Sequence, residues 1–176
     1  MKTLLEIYHE VGTGVGFGDK GTTHNYIQEY YSRAFEPYRN TNNGVLEIGI
    51  YHGHSINMWR KYFESAKIYG MDIVNRNSDC PNCELIYADA TLPESFSSIS
   101  NLDVIIDDGS HYPEHMIKSF NILFPKLNTG GIYVIEDVNG SQFDSGMFDK
   151  LHPDMKVYDL RDFYSFDNII IEVIKK

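Results

Sequence analysis

Along the chain, short and nearly continuous apolar runs alternate with stretches in which apolar residues recur every three or four positions. Residues 45–50 form the first such run, interrupted by Glu47 and Gly49. Residues 67–73, 84–87, 103–107 and 132–135 repeat the pattern. Runs this short predict strands, and near-continuous apolarity predicts strands covered on both faces. Between them, residues 55–65 place Ile56, Trp59, Tyr62 and Phe63 on one side of a helix. After Pro113, which suits a first helical turn, Met116, Ile117, Phe120, Leu123 and Phe124 give a second amphipathic helix. Pro125 should end or kink it, with Gly130 and Gly131 confirming the stop. Upstream, Tyr26, Ile27, Tyr30, Tyr31, Ala34 and Phe35 mark a further helix.

Strand–helix alternation of this kind predicts an α/β fold, a Rossmann-like doubly wound and mostly parallel sheet of about seven strands. The end of the chain differs. Residues 156–160 and 168–174 are strand-like, but the polar segment between them is too short for a parallel crossover. They are expected to form an antiparallel hairpin that finishes the sheet. Residues 1–176 read as a single domain, with residues 1–40 as an N-terminal helical and lid segment.

Composition narrows the partners. A net charge of −10 argues against nucleic acid, whose phosphates favour a basic surface. No apolar run approaches the roughly 20 residues of a membrane span. The first eleven residues carry Glu6 and Glu10 and lack a signal-peptide core, so a cytoplasmic location is expected. The two cysteines, Cys80 and Cys83, could be a redox pair or half a zinc site, but no second pair completes four ligands. They read as ordinary thiols in a surface loop.

In open α/β sheets, ligands sit beyond the carboxyl ends of the strands. The first strand runs through Glu47-Ile-Gly49-Ile-Tyr-His-Gly53 into a helix, and the two glycines let the backbone turn close to a ligand. Asp72, about 20 residues on, can accept hydrogen bonds from ribose hydroxyls. Asp89 is placed to meet an adenine amino group, and Asp107, at the end of the fourth strand, is a further cofactor-facing candidate. Several adenosine-containing cofactors would fit this pattern, and the glycines could simply shape a tight turn. A dinucleotide fingerprint is Gly-x-Gly-x-x-Gly. Here the spacing is Glu-x-Gly-x-x-x-Gly, and a carboxylate ahead of the first glycine suits a zwitterionic amino-acid tail better than a pyrophosphate. The earlier Gly-rich stretch, residues 12–21, lacks the phosphate-loop spacing and reads as a flexible loop covering the ligand.

The fourth strand ends in Asp107-Asp108-Gly-Ser-His111 and the fifth in Glu136-Asp137. Asp108, Glu136 and Asp137 at one mouth of the sheet would repel one another without a cation between them. Hard oxygen ligands suit Mg²⁺, Ca²⁺ or Mn²⁺. His111, three residues past Asp108, is the candidate general base. Asp108 and His111 form the catalytic pair, in which the ion acidifies a substrate hydroxyl and the histidine removes its proton. Paired acids after a strand can also serve as helix caps, which Asp107 or Asp137 could do instead.

Five segments then carry a resemblance: residues 19–26 (Asp-Lys-Gly-Thr-Thr-His-Asn-Tyr), 45–49 (Val-Leu-Glu-Ile-Gly), 67–72 (Lys-Ile-Tyr-Gly-Met-Asp), 106–111 (Ile-Asp-Asp-Gly-Ser-His) and 130–137 (Gly-Gly-Ile-Tyr-Val-Ile-Glu-Asp). Together they resemble the macrocin- and mycinamicin-type sugar O-methyltransferases, class I enzymes that use S-adenosyl-L-methionine and Mg²⁺. The resemblance implies that Asp108, Glu136 and Asp137 bind the metal, that His111 is the base, and that Glu47, Gly49, Asp72 and Asp89 meet the cofactor. It also implies a small-molecule or glycan acceptor bearing a sugar hydroxyl. The chain departs from the family in having Phe17-Gly18-Asp19-Lys20 where Gly-Thr-Asp-Lys is usual, and in a short stretch between Asp137 and the last strands. A small chain with a thin lid can borrow cover from a second copy, so a homo-oligomer is a further expectation. Other classes compatible with the residues alone are a non-catalytic S-adenosylmethionine-binding scaffold, an NAD-type oxidoreductase on the same fold, and a metal-dependent hydrolase.

Overall fold

A computed structural model describes residues 1–12, 18–164 and 166–176. The covering loop expected within residues 12–21 therefore lies, over 13–17, outside the described residues.

Helix α1 (Leu4–Val11) starts in a capping box, with Thr3 accepting from the Glu6 amide and Glu6 accepting from the Thr3 amide. It buries Leu4, Ile7 and Tyr8. The helix expected around Tyr26–Phe35 forms with a wider first turn: Ile27–Tyr31 is π-helical and runs into α2 (Ser32–Ala34). The Ser32 hydroxyl donates to the Ile27 carbonyl at 2.6 Å across that turn.

Strand β1 (Gly44–Ile48) leads through Gly49 and Gly53 into α3 (His54–Tyr62), which turns Ile56, Trp59 and Tyr62 inward. Strands β2 (Lys67–Asp72), β3 (Cys83–Tyr87) and β4 (Leu102–Asp107) follow. Cys80 and Cys83, read as separate thiols, are joined as a disulfide across the turn entering β3, which brings their Cα atoms within 5.4 Å. Helix α4 (Pro113–Leu123) begins at Pro113 and packs Met116, Phe120 and Leu123 against the sheet.

The fifth strand is longer than its apolar run. Strand β5 spans Leu127–Val138, so Gly130 and Gly131 lie inside it rather than marking a stop. The sheet admits them because β4 and β5 change register between Leu102 and Val104, and Gly130 takes the left-handed φ of 82° that a side chain would resist. After α5 (Gly140–Asp144), capped by the Asn139 side chain, β6 (Lys156–Asp159) and β7 (Ile169–Ile174) form the expected antiparallel hairpin.

The strand order is β3-β2-β1-β4-β5-β7-β6. The first five are parallel, and β7 runs antiparallel to β5. The order reverses between β1 and β4, which puts the ligand-binding crevice of such sheets at their carboxyl ends.

Side-chain alternation then sorts the strands into two cores. Val45, Val104, Ile106, Ile132 and Val134 face α1, α3 and residues 26–35. Leu46, Ile48, Ile105, Tyr133 and Ile135 face α4. By the same period of two, Glu47 and Glu136 point into the first layer and Asp107 into the second. Two glutamates are thereby buried beneath the N-terminal helices. Among the described residues no helix is long and apolar enough to cross a membrane.

Candidate active site

A cleft of about 610 Å³ opens at the carboxyl ends of the parallel strands. One wing is built by the β1 turn. Gly49 has φ 84°, and a Cβ there would meet the Asp108 carbonyl oxygen at 2.0 Å, so only glycine lets β1 and β4 approach. Gly53, at φ 87°, admits the chain into α3. Asp72 lines this wing and accepts from the Tyr51 and Val74 amides, both at 2.9 Å. Asp89 lines it too, held below the ordinary carboxylate range by the Thr91 amide and hydroxyl. His52 and His54 are also in the wall.

Asp107 sits deeper, against α4. It accepts from the Tyr133 hydroxyl at 3.1 Å and the Gly109 amide at 3.2 Å, and burial pushes it up to about 7. It caps no helix, since the cap position of α4 is Tyr112 and no side chain caps that helix. Nor does Asp137, since the α5 cap is Asn139.

Glu47 does not reach the cleft. It is fully buried, and its two oxygens accept from the Trp59 indole and the Ser55 hydroxyl, each at 2.8 Å. The reason is strand parity: position 47 faces the helical layer, while the cleft opens above the strand end. Burial raises its carboxyl to about 7. The expected direct contact with a cofactor's charged tail is not supported by this geometry; Ser55, which does line the cleft, lies between.

The inner end of the cleft is acidic. Asp137 adopts φ 55°, and the β5–β7 register shifts between Ile135 and Val138. This bulge turns Asp137 toward the same side as Glu136, where its Oδ1 accepts from the Tyr26 hydroxyl at 2.8 Å. Burial pushes Asp137 up to about 6, with Asp108 adding to the rise. Asp108 and Glu136 are likewise raised by burial, opposed by Lys20.

Lys20 is the residue that the sequence pattern did not single out. The residue is 3% exposed, and its ammonium stands 2.6 Å from Asp108 Oδ2 and 2.5 Å from Glu136 Oε1. Burial would lower its pKa, but Asp108, Glu136, Glu47 and Asp137 hold it well above the usual lysine value. The clue was available: buried acids on two strands require a cation, and the N-terminal segment facing that layer carries Lys20.

The three expected metal ligands do not form one cluster. Asp108, His111 and Asp137 offer ligand atoms within 4.8 Å of one another, and so do Glu47, Asp108 and Glu136; Asp108 belongs to both sets. Asp19, His24 and Asp137 make a third. The donors fit a hard divalent ion: carboxylates predominate, and Glu136 retains a buried Oε2 with no hydrogen-bond partner. His111 is beside them, its Nε2 4.0 Å from Asp108 Oδ1, in a left-handed backbone conformation at φ 53°. Such strain in a non-glycine residue persists where surrounding structure enforces it.

No family model matches the chain. It is 36% identical over 135 residues to the 8-demethyl-8-alpha-L-rhamnosyl tetracenomycin-C 2'-O-methyltransferase of Streptomyces olivaceus, which covers 70% of this chain and 35% of that protein. It is also 36% identical over 130 residues to the demethylmacrocin O-methyltransferase of Streptomyces fradiae, covering 67% of this chain and 33% of that one. The chain thus spans about a third of the length of the curated relatives it matches. Among solved structures, MycE, a methyltransferase from the mycinamycin biosynthetic pathway in complex with Mg and SAH, superposes with a TM-score of 0.75 at 26% identity, over 99% of this chain and 55% of that one. A second MycE structure, with Mg, SAH and Mycinamycin VI, gives a TM-score of 0.70 at 33% identity, over 83% and 39%. Sequence and fold together make the chain a relative of the macrocin- and mycinamicin-type sugar O-methyltransferases, built on the class I S-adenosylmethionine-dependent methyltransferase fold.

Proposed function

We propose that the chain transfers a methyl group from S-adenosyl-L-methionine to a hydroxyl of a sugar or sugar-containing small molecule, with a divalent cation, Mg²⁺ by the resemblance, at the acidic end of the cleft. The observation that carries this reading is a juxtaposition: Gly49, Asp72 and Asp89 line one end of the same cleft whose other end holds Asp108, His111 and Asp137.

The cofactor supplies an electrophilic sulfonium methyl, and the cation, when bound, polarises the acceptor hydroxyl. The protein does the rest. Asp72 and Asp89 orient the nucleoside, and Gly49 gives it room. Asp108, which belongs to both sets of donors, would hold the cation, with Asp137 and the spare oxygen of Glu136 as its further ligands. His111, adjacent to Asp108 and 45% exposed on its side chain, takes the acceptor proton through Nε2. The attacking oxygen and the methyl must line up, so positioning contributes much of the rate. Residues 18–20 line the cleft, which supports a lid role for part of residues 1–40.

The test is transfer of labelled methyl from S-adenosylmethionine to a panel of 6-deoxyhexosyl glycosides, with Mg²⁺ and with EDTA. Transfer that chelator abolishes and Mg²⁺ restores is expected. Undiminished transfer in EDTA would remove the metal from the reaction, and failure to bind S-adenosylhomocysteine by calorimetry would remove the reading altogether.

A further inference from the structure

Lys20 is the one lysine or arginine that is buried among the described residues. It is also held firmly. The Tyr8 hydroxyl donates to the Gly18 carbonyl at 2.6 Å, and Gly21 lies so close to the Tyr8 ring that a Cβ would sit 2.4 Å from it. The backbone is thus pinned on both sides of Lys20.

Its ammonium divides two carboxylates. Asp108 gives it Oδ2 and keeps Oδ1 toward His111. Glu136 gives it Oε1 and keeps Oε2, a fully buried oxygen without a partner. Each acid therefore has one oxygen committed and one to spare.

We infer that Lys20 selects the cation of this site, by occupying one oxygen of Asp108 and one of Glu136 so that each can offer an ion only a single oxygen. The inference rests on the metal-dependent reading proposed above. Mg²⁺ is small, demands near-octahedral geometry and keeps several waters, so single carboxylate oxygens suit it. Ca²⁺ takes more oxygens and draws on carboxylates that chelate with both. An ammonium wedged between the two acids blocks that second mode and so disfavours Ca²⁺ more than Mg²⁺. Lys20 is in this sense a positioning residue, acting through Asp108 and Glu136.

Calorimetric titration of MgCl₂ and of CaCl₂ into the protein saturated with S-adenosylhomocysteine tests this without turnover. The parent should prefer Mg²⁺. In Lys20→Met the ratio of Ca²⁺ to Mg²⁺ affinity should rise about tenfold or more, because both acids are free to chelate. Lys20→Arg, which can occupy the same two oxygens, should stay within about threefold of the parent. An unchanged ratio in folded Lys20→Met overturns the inference. Should that variant not fold, a crystal structure of the parent with Mg²⁺ decides. One oxygen from each acid on the ion, with Lys20 still in contact with both, supports it; two-oxygen chelation or a displaced Lys20 overturns it. A parent that binds neither ion rejects the metal reading and this inference together. A parent that binds Mg²⁺, with variants of unaltered preference, rejects only the role of Lys20.

Discussion

The hydroxyl of Tyr26 stands 2.8 Å from Oδ1 of Asp137, joining the N-terminal segment to the tip of the fifth strand across 111 positions of sequence. The same hydroxyl accepts from the Asp137 amide at 3.3 Å. Tyr26→Phe deprives a buried carboxylate and a buried amide of their partner at once. A loss of about 1–3 kcal/mol in unfolding free energy is expected in urea titration. A variant as stable as the parent would show that Asp137 finds another donor.

Gly49 is irreplaceable on two counts, its φ of 84° and the Asp108 carbonyl in the space of a Cβ. Gly49→Ala should cost about 2–4 kcal/mol and weaken S-adenosylhomocysteine binding, because the strain falls on the turn that frames the cofactor. Thermal unfolding and calorimetry read both; unaltered affinity in the variant would place the cofactor elsewhere.

Asp108 is shared by two clusters of candidate ligands. Asp108→Ala should abolish metal-stimulated methyl transfer while leaving S-adenosylhomocysteine affinity within about threefold, since the nucleoside wing is built by other strands. A fully active variant contradicts the assignment.

His111 is exposed, yet its backbone is left-handed. Asparagine tolerates that conformation better than most residues. His111→Asn should therefore keep the melting temperature of the parent and lose transfer by about 100-fold or more, the scale of a general base. Wild-type turnover in this variant would end its candidacy.

At the opposite end of the sheet, Asp103 accepts from Thr41, Asn43 and Asn128. Burial would raise its carboxyl, but those hydrogen bonds bring it below the ordinary carboxylate value. A folded-state value below the unfolded one means stability that is present above about pH 4 and drains away as the pH falls through the lower folded value. Asp103→Ala should lose about 1 kcal/mol at neutral pH, a figure kept modest by partial exposure, and should show a shallower acid limb below pH 4. Equal slopes in the two proteins would show that Asp103 does not drive the acid transition.

Much of this molecule is legible in its sequence. Strands 44–48, 67–72, 83–87 and 102–107 follow from apolar runs, and α3 and α4 from three- and four-residue spacing. The antiparallel hairpin follows from a connection too short for a crossover. These are local patterns, written in consecutive residues, and the ends of such strands are where acidic residues such as Asp72, Asp89 and Asp108 draw attention.

The arrangement inside the acidic nest was not local. Whether an acid meets the cleft or the core depends on strand parity and on bulges, which is why Glu47 turned inward to Trp59 while Asp137 turned beside Glu136. The partner of Glu136 is Lys20, 116 positions away, brought there by how the N-terminal segment packs over the sheet. Periodicity along the chain determined the elements and the end of the sheet at which chemistry would gather. Only the packing of one layer on another decided which charges face each other, because that pairing depends on distances between residues that the order of the chain leaves free.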